Sequence, residues 1–171
     1  MVKNWMCITS AENYEVALEK KVWGVRLRYK EKIEKIKKND RIIFYIKGRL
    51  IGGSFKVMSE VYIIKRNIFY GGQYPYCIDL EPLIETQDFF LLTNNMINNL
   101  DFFTYKDKRW IFNIMGKSII EISNNDYNYF KKIFKKHFHN QSIFNSSNNA
   151  LTYISKDNSL EFTDARKIAL S

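Results

Sequence analysis

The segment RIIFYIKGRLIGGSFKV, residues 41–57, carries the strongest secondary-structure signal in the chain. Residues 41–46 combine β-branched and aromatic side chains, a composition typical of a strand. After a short turn the chain returns as a second long strand, from Leu50 to about Ile64. Gly52 and Gly53 interrupt that strand and indicate either a bulge or a close backbone approach. The segment therefore predicts an antiparallel hairpin at the centre of a sheet.

Further strands and helices are predicted on both sides of this hairpin. The predicted strands are Trp5–Thr9, Tyr74–Leu80 (stopping at Pro82), Trp110–Ile114 and Ile119–Ile122. The predicted helices are residues 11–21, a short segment around Asn94–Asp101, and Asn124 to about Phe138. We expect Ser10 to cap the first helix, and Ser123 with Asp126 to form a variant capping box at the last. Because strands and helices do not alternate regularly, the fold class is α+β: a mixed β-sheet curled into a small barrel and flanked by helices.

One domain is predicted over residues 1–140, followed by a C-terminal extension, residues 141–171, of undetermined structure. After Asn140 the composition changes to Gln, Ser and Asn with isolated apolar residues. Short strands at Thr152–Ile154 and Leu160–Phe162, and a helical turn at Asp164–Leu170, are the elements expected there.

The charge balance points to a polyanionic partner. The chain has 27 Lys and Arg against 18 Asp and Glu, a net charge of +9. All of the excess precedes Asn140, because basic and acidic residues balance in the tail. A basic domain of this kind suits nucleic acid, since phosphate contacts release counterions. The high aromatic content, 16%, has two interpretations: an aromatic core, or exposed rings on which bases stack.

Several classes of protein receive no support from the sequence. Cys7 and Cys77 lack metal-ligand spacing and lie in strand-like contexts, so buried reduced thiols and a cytoplasmic location are expected. No segment is long and apolar enough to span a membrane, and no membrane partner is expected. No Ser-His-Asp set, Cys-His set or phosphate-binding glycine loop is present, so the chain is not expected to be an enzyme.

Five short segments, in order along the chain, carry a resemblance to a known family. They are WMCITSAEN (5–13), VWGV (22–25), KNDRIIFY (38–45), YPY (74–76) and MGKSIIEISNNDY (115–127). They resemble motifs of the EVE domain family, which belongs to the PUA-like superfamily and is related to YTH domains. Three positions depart from the family pattern: Ala11 stands where Pro is usual, Asn39 where Gly is usual, and Cys77 where Arg is common.

The resemblance implies a PUA-like barrel that binds DNA or RNA carrying a modified base, without a metal or cofactor. The base would be a methylated or otherwise altered cytosine or adenine, flipped into an aromatic pocket. In YTH readers, an Asn on the first helix and a Trp just after it help to form this pocket. Asn13 and Trp23 occupy the matching positions here.

Each candidate pocket residue also has a structural interpretation. Trp23 offers a stacking ring but also suits packing under the helix, and Asn13 offers a donor and an acceptor but also suits a helix N-terminus. The expected pocket residues are Trp23, Asn13, Ser10, Tyr45, Gly52, Gly53, Tyr74, Pro75 and Tyr76. Ser10 is also a cap, Tyr45 is equally suited to the core, and the glycines to a bulge. The expected phosphate contacts are Lys47, Arg49 and Arg109.

Three functions follow as hypotheses, in order of preference. The first is a reader of modified bases. The second is an RNA-processing or base-modifying enzyme on the same scaffold, which requires Lys, Tyr and Asp around the pocket. The third is an RNA- or tRNA-binding accessory module that ignores modification and whose affinity falls steeply with salt. The sequence leaves the oligomeric state open.

Overall fold

The computed structural model describes residues 1–84 and 89–148. Its strands are β1 (Asn4–Thr9), β2 (Val22–Val25), β3 (Arg41–Ile46), β4 (Leu50–Val57), β5 (Tyr62–Ile63), β6 (Tyr76–Ile84), β7 (Phe90–Leu91) and β8 (Ile119–Ile122). Its α-helices are α1 (Ala11–Lys20), α2 (Lys30–Ile33), α3 (Asn94–Asn99) and α4 (Asn124–Asn148). Two 3-10 segments span Leu27–Tyr29 and Lys108–Asn113.

The strands form one mixed sheet that curls into a half-barrel. Their order is β2-β6-β4-β3-β1-β8, with β5 paired to β6 and β7 paired to β4. β1 and β3 run parallel, and the other pairs are antiparallel. The parallel pair needs a long crossover, which α1, β2 and α2 supply. The predicted α+β class with a mixed, curled sheet is therefore confirmed.

Residues of β3 are buried on both faces of the sheet. Ile42, Phe44 and Ile46 belong to one hydrophobic cluster, which α1 covers. Ile43 and Tyr45 belong to a second cluster, which α3 and α4 cover. Because alternate residues of a strand point to opposite faces, the continuous apolar run from Ile42 to Ile46 fills both cores at once.

A buried carboxylate fixes β1 beside β3. Asp40, only 3% exposed, accepts hydrogen bonds from the Trp5 indole N–H (2.8 Å) and from the backbone N–H groups of Lys3 (2.9 Å) and Lys37 (3.0 Å). The preceding Asn39 has φ 76°, a left-handed conformation that Gly adopts freely and that Asn tolerates better than most residues. The replacement of the family's usual Gly by Asn39 therefore preserves this turn.

Gly52 and Gly53 of β4 mark a bulge and also permit a close approach to the backbone. The register between β3 and β4 shifts beside Gly52 and Gly53, which marks a bulge. A Cβ at Gly52 would lie 2.7 Å from ring atoms of Tyr14. The Gly53 N–H donates to the Tyr14 hydroxyl (2.6 Å). The bulge thus admits the buried Tyr14 ring against the backbone of β4.

The prediction of a strand at Trp110–Ile114 was wrong. It lies in the 3-10 segment Lys108–Asn113, which begins with the Asp107 carboxylate accepting from the Arg109 N–H. The apolar side chains of Ile111 and Phe112 are exposed, whereas Asn113 is buried and its amide bonds to the backbone of neighbouring segments. Capping by Asp107 and the bonds of Asn113 outweigh the strand propensity of the apolar residues.

Other element boundaries differ from the predicted ones. The long return strand ends at Val57 and resumes only as β5. β6 continues past Pro82 to Ile84, because Pro82 sits at a register shift against β4, where a missing N–H is tolerated. α4 continues past the predicted end near Phe138 to Asn148. The elements expected at residues 152–170 lie outside the described residues.

Both predicted caps are present. The Ser10 hydroxyl accepts from the Asn13 N–H at the start of α1 (3.3 Å). The Ser123 hydroxyl accepts from the Asp126 N–H (3.0 Å), while the Asp126 carboxylate accepts instead from the Asp101 N–H (2.6 Å). The second cap is therefore only half of a capping box. Within residues 1–84 and 89–148, no helix is long and apolar enough to cross a bilayer, and no group of three or more His, Cys, Asp or Glu residues could hold a metal.

Candidate functional site

A small cavity opens where β1, β2 and the turn after β3 meet. Its volume is about 140 Å³. It is lined by Ile8, Thr9, Ser10, Trp23, Gly24, Arg26, Tyr29, Lys47, Tyr74, Lys117 and Ser118. An engineered apolar cavity of about 150 Å³ accepts benzene, so this space suits one aromatic ring.

Backbone hydrogen bonds hold three segments together at the base of the cavity. The Ile8 N–H donates to the Ser118 carbonyl (2.8 Å), and the Lys47 N–H donates to the Thr9 carbonyl (2.9 Å). Ser10 then ends the strand and caps α1. The end of β1 thus lies between the turn after β3 and the start of β8, which brings residues distant in sequence to one rim.

Trp23 forms a wall of the cavity rather than an open platform. Its side chain is only 2% exposed and contacts the Phe44 ring edge-on, with 5.9 Å between centroids. The adjacent Gly24 has no room for a side chain, because a Cβ there would lie 2.8 Å from Cys77 Sγ and 2.9 Å from the Phe69 ring. Burial and the nearby Asp79 raise the pKa of the Cys77 thiol to about 12, so it stays protonated.

Two partly exposed tyrosines flank the indole. The Arg26 guanidinium lies 5.3 Å from the Tyr74 ring centroid and donates to the Gly71 carbonyl. The Tyr29 hydroxyl donates to the Gly116 carbonyl (3.1 Å), which ties the segment after β2 to the turn before β8. Cations also contact the Tyr29 ring, with Arg28 4.8 Å and Lys32 5.9 Å from its centroid. Both tyrosine rings line the cavity and remain partly exposed.

The rim of the cavity is positively charged. Arg26, Lys47 and Lys117 line it, and none of its lining residues within the described chain is a carboxylic acid. Glu12 interacts with two of the lining residues: its pKa is lowered mainly by its own backbone N–H and the Ser10 hydroxyl, with a smaller effect of Lys47. The cavity therefore favours an anionic ligand or one with attached phosphates.

The Asn13 carboxamide is bonded to a loop and does not line the cavity. Its Oδ1 accepts from the Tyr70 N–H (2.7 Å), and its Nδ2 donates to the Tyr70 carbonyl (3.1 Å). Asn67 holds the same loop by donating to the carbonyls of Phe69 and Gly72 and accepting from the Tyr74 N–H. Asn13 thus acts on the cavity through the loop that carries Tyr74.

The other expected pocket residues lie elsewhere. Tyr45 packs in the second core, and burial raises its pKa. Gly52 and Gly53 contact Tyr14. Pro75 and Tyr76 follow Tyr74 but are absent from the lining, and Tyr76 lies under the Lys30 ammonium (5.8 Å) beside a different groove.

Only one of the three expected phosphate contacts lies at the cavity. Lys47 is exposed at its rim. Arg49 donates to the Leu92 carbonyl (2.6 Å) and to Asn94 Oδ1 (2.5 Å) and covers the Trp110 ring. Arg109 pairs with Asp107 (2.8 Å). The structure thus brings together Ser10, Trp23, Lys47 and Tyr74 of the expected set.

Seven lining residues were not among the expected site residues: Ile8, Thr9, Gly24, Arg26, Tyr29, Lys117 and Ser118. Arg26 follows directly after the VWGV segment, and Lys117 and Ser118 lie inside the MGKSIIEISNNDY segment. Their position within motifs already recognised was the available signal. Tyr29 opens the highly charged segment YKEKIEKIKKN (29–39), whose composition gives no signal for a ligand-facing ring.

Comparison with known proteins identifies the family. The model of the EVE domain matches residues 3–133. A UPF0310 protein of Pyrococcus abyssi is 33% identical over 136 residues, covering 72% of this chain and 93% of the relative. A UPF0310 protein of Pyrococcus horikoshii is 33% identical over 144 residues, covering 75% of this chain and 97% of the relative.

Solved structures with the same fold include YTH domains. The Mmi1 YTH domain in complex with RNA aligns with a TM-score of 0.61 at 10% identity, over 82% of each chain. The YTH domain of Zygosaccharomyces rouxii MRB1, in complex with N6-methyladenosine RNA, aligns with a TM-score of 0.58 at 13% identity, over 78% of this chain and 87% of the other. At such identity the likeness concerns the fold, a half-barrel of the YTH and PUA-like kind. The match to residues 3–133 shows that the chain belongs to the EVE domain family.

Proposed function

We propose that this chain binds RNA or DNA by accepting one extruded, modified base in the cavity beside Trp23. The observation that carries the proposal is the combination of ring-sized space, about 140 Å³, with three aromatic side chains and three cations at one rim. A base needs a flat surface on which to stack, and its flanking phosphates need positive charge. The partly exposed rings of Tyr29 and Tyr74 supply such surfaces, and the buried Trp23 indole closes the wall behind them.

The size of the cavity supports recognition of a single base. A space near that of the benzene-binding cavity leaves little room beyond one ring, so one added methyl changes the fit. One methylene in an apolar pocket is worth about 1–3 kcal/mol of discrimination. The YTH structures with RNA and with N6-methyladenosine RNA have the same fold and support a nucleic-acid partner.

A binding role is favoured over catalysis. The enzyme hypothesis required Lys, Tyr and Asp around the pocket. The lining, as far as the chain is described, contains Lys and Tyr but no Asp, Glu, His or Cys. Lys, Tyr and Ser can act as acids, bases or nucleophiles, but the acidic partner that the enzyme hypothesis required is not among these lining residues. A cytoplasmic location belongs to the same proposal, and the unpaired buried thiols Cys7 and Cys77 suit it.

The test is a set of fluorescence-anisotropy titrations with oligonucleotides that differ in one base modification. We expect one modified base to bind at least about tenfold more tightly than its plain counterpart, a difference of 1.4 kcal/mol. Equal affinity for all oligonucleotides, with a steep salt dependence, would favour the modification-independent module instead. No binding of any oligonucleotide would refute the proposal.

Two substitutions locate the site without disturbing the core. Ser118→Leu places a larger side chain in the cavity, while the Ser118 carbonyl keeps its bond to Ile8. It should remove the discrimination between modified and plain bases. Lys47→Gln should weaken the binding of modified and plain oligonucleotides alike, because Lys47 is exposed at the rim and we expect it to contact phosphate rather than base. The matched control is Lys35→Gln, which removes the same charge from an exposed position away from the cavity.

A further inference from the structure

A second basic groove lies between the end of α3 and the exposed face of α4. Its volume is about 530 Å³. Lys131, Lys132 and Lys135 line it, together with Tyr129 and amide side chains such as those of Asn99 and Asn128. None of its lining residues within the described chain is acidic.

The three lysines form no ion pair among the side chains that the structure describes, those of residues 1–84 and 89–136. Other lysines there do, as Lys30 does with Glu34. All three are exposed. Residues three and four apart on a helix share a face, with about 5–6 Å between Cβ atoms. Long lysine side chains at that spacing can each reach a separate phosphate.

The groove is remote from the cavity beside Trp23. α4 begins at Asn124, whose Oδ1 accepts from Asn4 Nδ2 at the start of β1 (2.7 Å), whereas the cavity lies at the other end of β1, by Thr9. Six residues of strand span roughly 17 Å. α4 also packs on the opposite core from Trp23. A ligand must therefore pass around an edge of the sheet to reach both places.

We propose that this groove binds the sugar–phosphate backbone of the same nucleic acid whose base occupies the cavity. The amides and the half-buried Tyr129 ring add hydrogen bonds and a stacking edge, which nucleic acid uses and a simple counterion does not. A membrane surface fits less well. The apolar face of α4 (Tyr127, Phe130, Phe134) is buried in the core and leaves nothing to insert into lipid.

This inference rests on the proposed nucleic-acid partner, and oligonucleotide length separates the two. The probes are a trinucleotide carrying the preferred base and an oligonucleotide of about 20 nucleotides, which at about 3.4 Å per stacked base extends well beyond the cavity. The test variant carries Lys131→Gln, Lys132→Gln and Lys135→Gln. Its matched control carries Lys35→Gln, Lys38→Gln and Lys65→Gln, three exposed lysines outside the groove.

The groove variant should bind the trinucleotide as the unmodified chain does, and the long probe more weakly. Losing three phosphate contacts lowers the slope of log affinity against log salt by about 2 for a single strand. Between 50 and 200 mM salt, the affinity of the unmodified chain for the long probe should therefore fall about 20-fold further than that of the variant. The control should keep the slope of the unmodified chain. Arg at all three groove positions should restore it.

Four results would overturn the inference. The control could lower the salt slope as much as the groove variant, which would indicate net charge alone. The groove substitutions could lower the affinity for the trinucleotide and for the long probe equally. The unmodified chain could bind the long probe no more tightly than the trinucleotide, while Ser118→Leu still abolishes the discrimination between modified and plain bases. In that case the proposed function would stand and the groove would have no part in it. Preference of this face for anionic vesicles over the long probe would also contradict it.

Discussion

Replacing Asn13 by Ala distinguishes a residue that holds the cavity from one that reads the base. The carboxamide is 4% exposed and exchanges two hydrogen bonds with the Tyr70 backbone, at 2.7 and 3.1 Å. Each such bond contributes about 0.5–1.5 kcal/mol net, so Asn13→Ala should lower the free energy of unfolding by about 1–3 kcal/mol. The loop is also held by Asn67 and Arg26, so it should loosen without unfolding the domain.

Urea unfolding and amide hydrogen exchange measure this effect. The Tyr70 amide loses its acceptor in Asn13→Ala, and each 1.4 kcal/mol of lost local stability should raise its exchange rate about tenfold. Asn13→Asp keeps the acceptor for the Tyr70 N–H but sets a carboxylate oxygen against the Tyr70 carbonyl at a buried position, so it should destabilise the loop at least as much as Asn13→Ala. The control is Asn95→Ala on the exposed face of α3, expected within about 0.5 kcal/mol of the unmodified chain.

Binding assays then decide the role of Asn13. Because the carboxamide does not line the cavity, Asn13→Ala should lower the affinity for modified and plain oligonucleotides by the same factor. The loss would come from displacement of Tyr74, which lines the cavity. Loss of discrimination with an unchanged free energy of unfolding would refute this reasoning. It would mean that Asn13 leaves Tyr70 and contacts the base edge, as the family resemblance suggested.

Three further predictions concern the scaffold. Asp40→Ala leaves three donors without their acceptor: the buried Trp5 indole N–H and the part-buried backbone N–H groups of Lys3 and Lys37. It should cost about 2–4 kcal/mol in urea unfolding, and a cost below about 1 kcal/mol would contradict the role given to this carboxylate. Gly52→Ala forces a Cβ within 2.7 Å of the fully buried Tyr14 ring and should lower the free energy of unfolding in urea by about 1–3 kcal/mol. An unchanged free energy of unfolding would contradict this close approach. The pKa of Cys77 is raised to about 12, so above pH 9 the thiol loses its proton in the unfolded chain before it does in the folded one. The urea midpoint should therefore fall as the pH rises from 9 towards 12, and it should fall less in Cys77→Ala. An equal fall in both proteins would exclude this thiol as a cause.

The central elements could be predicted because their patterns reflect burial. β3 is apolar from Ile42 to Ile46 because both faces of its sheet are covered, and the stripe of Tyr127, Phe130 and Phe134 on α4 fills the second core. The 3-10 segment at Lys108–Asn113 could not be predicted from hydrophobicity. Its apolar Ile111 and Phe112 face solvent and its polar Asn113 is buried, the reverse of the usual pattern.

The cavity could be predicted only in part, for a similar reason. Trp23, Ser10, Lys47 and Tyr74 belong to motifs or turns that the sequence marks. Their convergence with Lys117 depends on the pairing of β1 with β8, a long-range contact without a local signal. Asn13 illustrates the converse: its motif suggested a ligand contact, while its partner in this structure is a loop backbone 57 residues away.

The chain's three tryptophans allow the most direct test of the central claim, that one base enters the cavity beside Trp23. The indole N–H of Trp5 is bonded to Asp40, Trp110 lies under Arg49, and only Trp23 lines the cavity. In ¹⁵N NMR spectra titrated with a trinucleotide carrying the preferred modified base, the Trp23 indole and Gly24 amide signals should shift and saturate together, while the Trp5 and Trp110 indole signals stay in place. Saturable binding that moves the Trp110 signal and leaves Trp23 and Gly24 unchanged would contradict the account.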